Sequence, residues 1–426
     1  MPPRILIFED AGVENLRPLV WCRPAWDLRT GLATLAEKIA AAYAPAEVFY
    51  HARPHLAEVI AEDATNKLVC RAADAKSLAG APLVAVSGRV LADAALAAKV
   101  PLDGPPQAFR SQGEVVAVRL ADGGAAAAAL AGDVFDAGAF RDLPAADAAV
   151  PLIRWPWDLV SANAGQIEAD FKRFAEPGAI LGEVHPSAVI EGRGNVHIAP
   201  GARIGPGAIL VAEDGPIYIG PGAEIMAGAA IAGPVVVGAE ARVRMLAKIY
   251  GGTTIGPVSR VGGEVVRSIL HACVNKQHDG YLGHAYISPW CNLGAGTEAS
   301  DLKNNYAGVR VGIEGRQVDT GGPFAGLVMG DHSKCGINTM FNTGTVVGVG
   351  CNVFGADYPP KEIPSFTWGG AAGLVEYDFE KFCQTAARVM ARREKQFTPA
   401  MRAMLEHVFH QTRAWRRKIV GAGWPG

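Results

Sequence analysis

The stretch "IGPGAEIMAGAAIAGPVVVGAEARVRMLAKIYGGTTIGPVSRV", Ile219 to Val261, decides the fold. Ile219, Ile225, Ile231, Val237, Val243, Ile249, Ile255 and Val261 step by six without a miss. Four residues after each stands a small or β-branched residue: Ala223, Ala229, Val235, Ala241, Ala247, Thr253, Ser259 and Val265. A period of six fits neither an α-helix nor a two-sided strand. It fits a short strand and a turn, repeated, with the apolar residue turned to the axis and Gly, Pro or Asn easing the corner. The expected architecture is a β-helix of hexapeptide repeats, a solenoid in which each coil touches only its neighbours.

The rhythm extends outward in both directions. Ile198, Ile204 and Leu210 keep the same step before "EDGP" shifts the phase. It returns at Ile287 and Leu293, and again at Met329, Cys335, Phe341, Val347 and Val353. Gly supplies 51 of 426 residues, above the usual share of about 7%, and much of the excess follows residue 182. The rest of the chain differs. Residues 1–150 alternate short strand candidates, "RILIFED", "EVFYHA", "KLVCRA" and "PLVAVSG", with helical stretches such as "GLATLAEKIAAAYA". That alternation predicts an α/β domain with a mostly parallel sheet, whose ligands sit beyond the carboxyl ends of the strands. The loop from Glu9 to Arg29 is the first place to look. The Ala-rich run Gly123 to Asp133 reads as a short helix. Residues 151–182 read as a connector, helical from about Ser161, with Trp155 and Trp157 anchoring it. The β-helix covers 183–375. Residues 376–426 read as two helices, with Arg413, Arg416, Arg417 and Lys418 forming a solvated face or an end cap.

The bulk numbers restrict function. Half of the residues are hydrophobic and 19% are charged, so a large core is expected. The net charge of −2 gives no global reason to bind nucleic acid. No apolar run is long enough to span a bilayer, and no secretory signal opens the chain. Seven scattered Cys without a CxxC pair suit reduced thiols in a cytoplasm.

A bare hexad carries no reactive group, so polar breaks in the rhythm mark candidate chemistry. The longest runs from Arg267 to Asp319. His278 lies there beside Asn275, Lys276 and Asp279 and near Tyr281, and a neutral imidazole suits a general base near pH 7. On spacing alone, structural and catalytic roles for this histidine stand level.

"HDGYLGHAYISPWCNLGAGT", followed by "NNYAG", resembles the acetyltransferase half of the GlmU-type bifunctional enzymes that make UDP-N-acetylglucosamine. The resemblance implies a left-handed β-helix, a trimer and acetyl-coenzyme A as donor. It places His278 on the catalytic base, and Tyr281 and Asn292 on sugar-phosphate contacts. Gly294 and Ala295 fall at the coenzyme, and Asn305 and Tyr306 on an Asn-Tyr pair. "ARVRMLAKI" places Arg244 on a phosphate-binding arginine. Asn275 and Lys276, flanking the histidine, join the candidate substrate contacts. The family's substrate-binding Lys is Val266 here, and the neighbouring Arg267 is its candidate replacement. The acceptor sugar is therefore left open. The segment before the Asn-Tyr pair is four residues longer than the family's.

The order of an α/β domain, a connector and a β-helix matches the same enzymes. The nucleotidyltransferase signature G-x-G-T-R-M is replaced by "EDAGVENLRPLVWCRPAWDLRTG", which resembles a divergent branch of sugar nucleotidyltransferases. Arg17, Arg23, Arg29 and Lys38 are the candidate triphosphate-binding cations, set against the alternative that they pair with Glu9, Asp10 and Glu14. The resemblance implies Mg²⁺, with Asn163 as a candidate ligand, whereas Ser87-Gly88-Arg89 after the "PLVAVSG" strand is no ligand set. The reading that follows is a cytoplasmic, trimeric enzyme. It would acetylate an amino-sugar 1-phosphate and join a sugar 1-phosphate to a nucleotide, UTP first among the choices. A nucleotidyltransferase with a structural β-helix, an acyltransferase with a degenerate N-terminal domain, and a pure scaffold are the competing readings.

Overall fold

The computed structural model describes residues 2–62 and 72–421. The hexads become three faces of a triangular coil. Face one holds Ile217–Ile219, Val235–Val237 and Thr253–Ile255; face two holds Glu224–Ile225, Arg242–Val243 and Arg260–Val261; face three holds Ala230–Ala232, Lys248–Ile249 and Glu264–Val266. Every pairing between coils is parallel on these faces, and Ile219, Val237 and Ile255 stand one above another as Cα partners. Face one is the longest, with nine strands. The six-step residues of the opening stretch are at most 1% exposed. They stack into one continuous apolar core with Ala223, Ala229, Ala241 and Ala247. Each buried Ile contributes about 1.5–3 kcal/mol, so the rhythm is an energetic requirement of stacking.

The N-terminal domain is α/β. Its strands are β1 (Arg4–Phe8), β2 (Glu47–Tyr50), β3 (Leu83–Ser87), β4 (Gln107–Ser111), β5 (Glu114–Leu120) and β6 (Ala145–Asp147), with α1 (Leu35–Ala42) between β1 and β2. The sheet order is β2-β1-β3-β5-β4-β6. β1 is parallel to β2 and β3, but β5 runs antiparallel to both β3 and β4. The sheet is therefore mixed where a mostly parallel one was expected, because "QAFRSQGEVVAVRL" closes as a hairpin through Gln112 and Gly113. α1 starts at a capping box in which Thr34 and Glu37 exchange side-chain and backbone bonds. The Ala-rich run corrects another expectation. It makes only a 3₁₀ turn, Gly123–Ala127, because Gly123 lies flat against Leu78 and the alanines are needed as small packing groups. Most of the "KLVCRA" strand candidate lies outside the described residues.

The connector is one helix, α2 (Pro156–Phe174), which begins at Pro156 rather than near Ser161. Trp155 and Trp157 stack with centroids 5.3 Å apart at its start. α2 packs on face one of the β-helix. A hairpin of β7 (Arg310–Ile313) and β8 (Arg316–Asp319) leaves the solenoid and reaches the N-terminal domain. Glu314 at its tip accepts from Arg17 at 2.9 Å and from the Trp21 indole at 3.0 Å.

The tail forms three helices rather than two, α3 (Phe379–Ala391), α4 (Pro399–Gln411) and α5 (Arg413–Gly421). They fold back, so that Phe382, Met404 and Leu405 share one apolar cluster with Ile5, Leu56 and Ile60 of the N-terminal domain. Arg413, Arg417 and Lys418 face solvent, but Arg416 is fully buried and bound to Glu376 at 2.7 Å. No described helix is long and apolar enough to cross a membrane.

Candidate functional site

The hexad geometry sorts the candidate residues by face and corner. His278, in the turn Gln277–Gly280, sits exposed at the corner between faces two and three. Arg244 occupies the same corner lower in the stack, and Gly294 and Ala295 occupy it one coil above. A Cβ on Gly294 would lie 2.4 Å from Gly336, so that glycine serves close stacking of coils. Ala295 is half-buried, and its carbonyl accepts from Asn338.

Asn275 and Asn292 lie on face two, one above the other, with Asn275 Nδ2 donating to Asn292 Oδ1 at 2.6 Å. Tyr281 lies round the corner on face three. Arg267 is farther still, exposed at the corner between faces three and one. Asn305 and Tyr306 are on an exposed loop, Tyr306 at 75% exposure. The fold thus gathers His278, Arg244 and Ala295 on one edge and flanks that edge with Asn275 and Asn292 on one side and Tyr281 on the other. It does not bring Arg267 onto that edge.

Lys276 corrects the sequence reading. It takes the inward position of face two, where Val261 stands one coil below, and is 2% exposed. Its ammonium donates to the carbonyls of Gly262 at 2.9 Å and His278 at 3.0 Å. Gly263, at φ 72°, leaves the room, since a Cβ there would lie 2.9 Å from Lys276 Nζ. Burial lowers the Lys276 ammonium to about 8. This lysine holds the His278 turn from inside the coil.

The structure adds a histidine that the sequence reading passed over. His284 Nδ1 lies 2.7 Å from Asp301 Oδ2, and Tyr281 donates its hydroxyl to the same oxygen at 2.9 Å. His284 also stacks on Phe324, centroids 4.6 Å apart. Burial works against the Asp301 charge, but the bonds from His284 and Tyr281 outweigh it and hold the carboxyl below its ordinary range. An Asp-oriented imidazole is the arrangement of a positioned base. The signal was present: the two residues are 17 apart, close to one coil, so they stack.

The N-terminal candidates are committed within the chain. Arg17 pairs with Glu14 and Glu314, and Arg23 with Asp27 and Asp331. Arg29 Nη1 donates to the Leu32 carbonyl at 2.6 Å. Lys38 is fully buried against Asp170 and Gln166. Asn163 is also fully buried, donating to the Gly252 carbonyl at 2.8 Å and accepting from Gly31 N–H at 2.7 Å. Arg17, Arg23, Lys38 and Asn163 thus tie the N-terminal domain to the connector or the β-helix, and Arg29 ties its own loop, which is the internal pairing set against a triphosphate role. The residues around Asn163 do not fit Mg²⁺, and no described group of three or more His, Cys, Asp or Glu residues is placed to hold a metal ion. Even the crevice beyond β1 and β3 is filled. Arg89, 3% exposed, bonds Asp10 at 2.8 Å and Glu114 at 2.7 Å, and its guanidinium lies where a Cβ on Gly12 would point.

Residues 5–177, spanning this sheet and α2, match the sugar nucleotidyl transferase family. The chain therefore carries a domain that matches this family ahead of a hexapeptide β-helix, the domain order expected from the resemblance to the GlmU type. The bifunctional protein GlmU of Methanocaldococcus jannaschii is 30% identical over 117 residues, 28% of this chain and 24% of that protein. A bifunctional sugar-1-phosphate nucleotidylyltransferase/acetyltransferase of Sulfurisphaera tokodaii is 28% identical over 91 residues, 21% of this chain and 23% of that one. The matched segments thus span about a quarter of the length of these curated relatives. A solved UDP-N-acetylglucosamine acyltransferase of Francisella novicida overlays 57% of this chain and 92% of its own at 14% identity, with a TM-score of 0.29, too loose a fit to transfer a residue role.

Proposed function

We propose that this chain is a two-domain transferase of nucleotide-sugar synthesis. Its β-helix acetylates an amino-sugar 1-phosphate from acetyl-coenzyme A, and its nucleotidyl transferase domain joins a sugar 1-phosphate to a nucleotide, UTP first. The observation that carries the acyl half is the corner where His278 stands exposed with Arg244 below and Ala295 above. There the sugar amine attacks the thioester carbonyl, His278 takes the amine proton, and the thiol of coenzyme A leaves. Arg244 balances the sugar phosphate. Lys276 fixes the His278 turn. For the nucleotidyl half the match of residues 5–177 is the support. Mg²⁺ is the metal this chemistry would use.

The exposed apolar residues Met245, Leu246 and Ile337, at 61%, 75% and 73% exposure, line this same corner. They support a homotrimer in which a neighbouring subunit covers the edge. Six free cysteines among the described residues support a reducing, cytoplasmic setting.

The His284–Asp301 pair favours a second assignment, in which His284 is the base. The two are separated by acetyl transfer from acetyl-coenzyme A to glucosamine 1-phosphate. His278→Ala should lower kcat by about 10²–10⁴, with His284→Ala retaining most activity; the reverse ranking sinks the His278 assignment. Release of pyrophosphate from UTP and Mg²⁺ with a panel of sugar 1-phosphates tests the N-terminal half, and no release with any sugar would leave it a binding module.

A further inference from the structure

Two cavities meet at the seam of the N-terminal domain, the β-helix and the C-terminal helices. The first has a volume of about 340 Å³, near the lower bound of ligand pockets. Trp26 and Asp27, from the loop after β1, wall it on one side, and His271, Trp290 and Asp331 of the β-helix wall it on the other. It lies beyond the carboxyl ends of β1 and β2, where an α/β sheet takes its ligands, and it is open where the crevice beside Arg89 is plugged. The second cavity has a volume of about 200 Å³ and is walled by Arg260, Lys334, Arg392 and Arg393 together with Asn275 and Asn292. Cys273 and Trp290 line both cavities, so the two lie side by side at the Trp290 ring.

The four cations come from distant points of the chain. Arg260 and Lys334 stand on face two, whereas Arg392 and Arg393 follow the last turn of α3. Among the described residues none of the four is in a salt bridge, although Arg17 and Arg23 of the neighbouring loop are each paired with two carboxylates. Lys334 Nζ is tied only to the His332 carbonyl, at 2.8 Å. Burial and the neighbouring Arg393, Arg242, Arg244 and Arg392 push the Arg260 guanidinium down. A fold that gathers like charges without a counter-charge is destabilised by them, and an anion seated there relieves the cost. A planar guanidinium set reads phosphate oxygens in pairs. The adjoining cavity offers indole rings and carboxylate acceptors, which suit the ring and the N–H groups of a nucleobase.

We infer that this seam binds a phosphorylated nucleoside, with its phosphates among Arg260, Lys334, Arg392 and Arg393 and its base in the cavity walled by Trp26 and Trp290. The inference rests on the transferase reading for the choice of ligand and places the nucleotide-bearing substrate at the seam instead of at the loop arginines. Both UTP and coenzyme A carry this chemistry, and the test has an arm for each.

The full chain is titrated with UTP, with coenzyme A and with inorganic pyrophosphate, following tryptophan fluorescence and calorimetric heat. The same titrations are made on R392A/R393A and on the single variant R392A, each checked for an unchanged melting temperature. The expected result is quenching by UTP or coenzyme A, with affinity falling about tenfold or more in R392A/R393A and less in R392A. A fall for UTP assigns the seam to the nucleotide donor, and a fall for coenzyme A assigns it to the acyl donor. Equal affinity in wild type and variants, no binding of either ligand, or pyrophosphate binding as tightly as both would overturn the inference. Binding is read without turnover. Loss of affinity in the variants with no product from any substrate pair would retain this site and reject the transferase reading.

Discussion

Asn163 of the connector helix and Thr254 of the β-helix meet at 3.2 Å in the middle of the domain junction. The same Asn163 carboxamide receives the Gly31 N–H and donates to the Gly252 carbonyl. One buried side chain therefore joins the loop after β1, the connector and a coil of the solenoid. Replacing it with Ala leaves a buried donor and a buried acceptor without partners, at about 1–3 kcal/mol each. Asn163→Ala is expected to lower the melting temperature by several degrees and leave the Mg²⁺ dependence of pyrophosphate release unchanged. Unchanged stability with an altered Mg²⁺ requirement would return Asn163 to the metal.

Asp301 gathers two partners, His284 and Tyr281, and its carboxyl lies below the ordinary range. A depressed acid contributes stability that is present above its unfolded value, about 3.9, and is lost as pH falls through the folded value. Asp301→Asn should be less stable than wild type at pH 7, and the gap should close as pH drops below about 4. Melting curves from pH 3 to 7 check this. A gap that stays constant with pH means that the bonds do not depend on the charge.

Glu314 links the β7–β8 hairpin to Arg17 and Trp21, and Arg316 beside it donates to Asn15 at 2.7 Å. These contacts are partly exposed, so their loss is modest in energy, about 1 kcal/mol. Their effect is on coupling. Glu314→Ala should speed proteolytic cleavage in the 302–325 excursion and broaden the calorimetric transition. Cleavage at the wild-type rate would show that the hairpin is held by other contacts.

The hexads were legible because each inward position must be apolar and small enough to stack, so Ile219 through Val261 declared themselves. Lys276 did not, for a geometric reason. Its partner below is Val261, so that coil is three residues short of the regular repeat and the six-step count loses phase. The loop arginines stood open between a triphosphate and partners within the chain, because only some of those partners are local: Glu14 and Asp27 are near in sequence, whereas others are remote. Glu314 is 297 residues from Arg17, and Asp331 is 308 from Arg23. Of the acids set against them in the sequence, Glu14 does pair with Arg17, whereas Glu9 is taken by Arg53 and Asp10 by Arg89. His278, Tyr281 and Asn292 were singled out by motif, and the fold sets them at or beside one edge. The basic pocket was not singled out, because it is assembled by a tail helix folding back over face two.

Lys276 offers the sharpest pH test. Its folded value is about 8 against 10.5 for the free group, with burial as the main cause. Below about pH 8 both states hold the proton, so this group's cost is constant and stability does not change with pH through it. Between about 8 and 10.5 the unfolded chain holds a proton that the folded chain has shed, so stability rises with pH. Lys276→Met removes that rise. The difference in unfolding free energy, wild type minus variant, should therefore grow across this window and level off above it. The variant also strips the carbonyls of Gly262 and His278 of their donor, which loosens the turn that presents His278. Acetyl transfer should fall at every pH while the binding of UTP and coenzyme A at the seam is retained. A flat difference curve between pH 8 and 10.5 would mean that the ammonium finds water, and that the turn owes its shape to the stacked glycines instead.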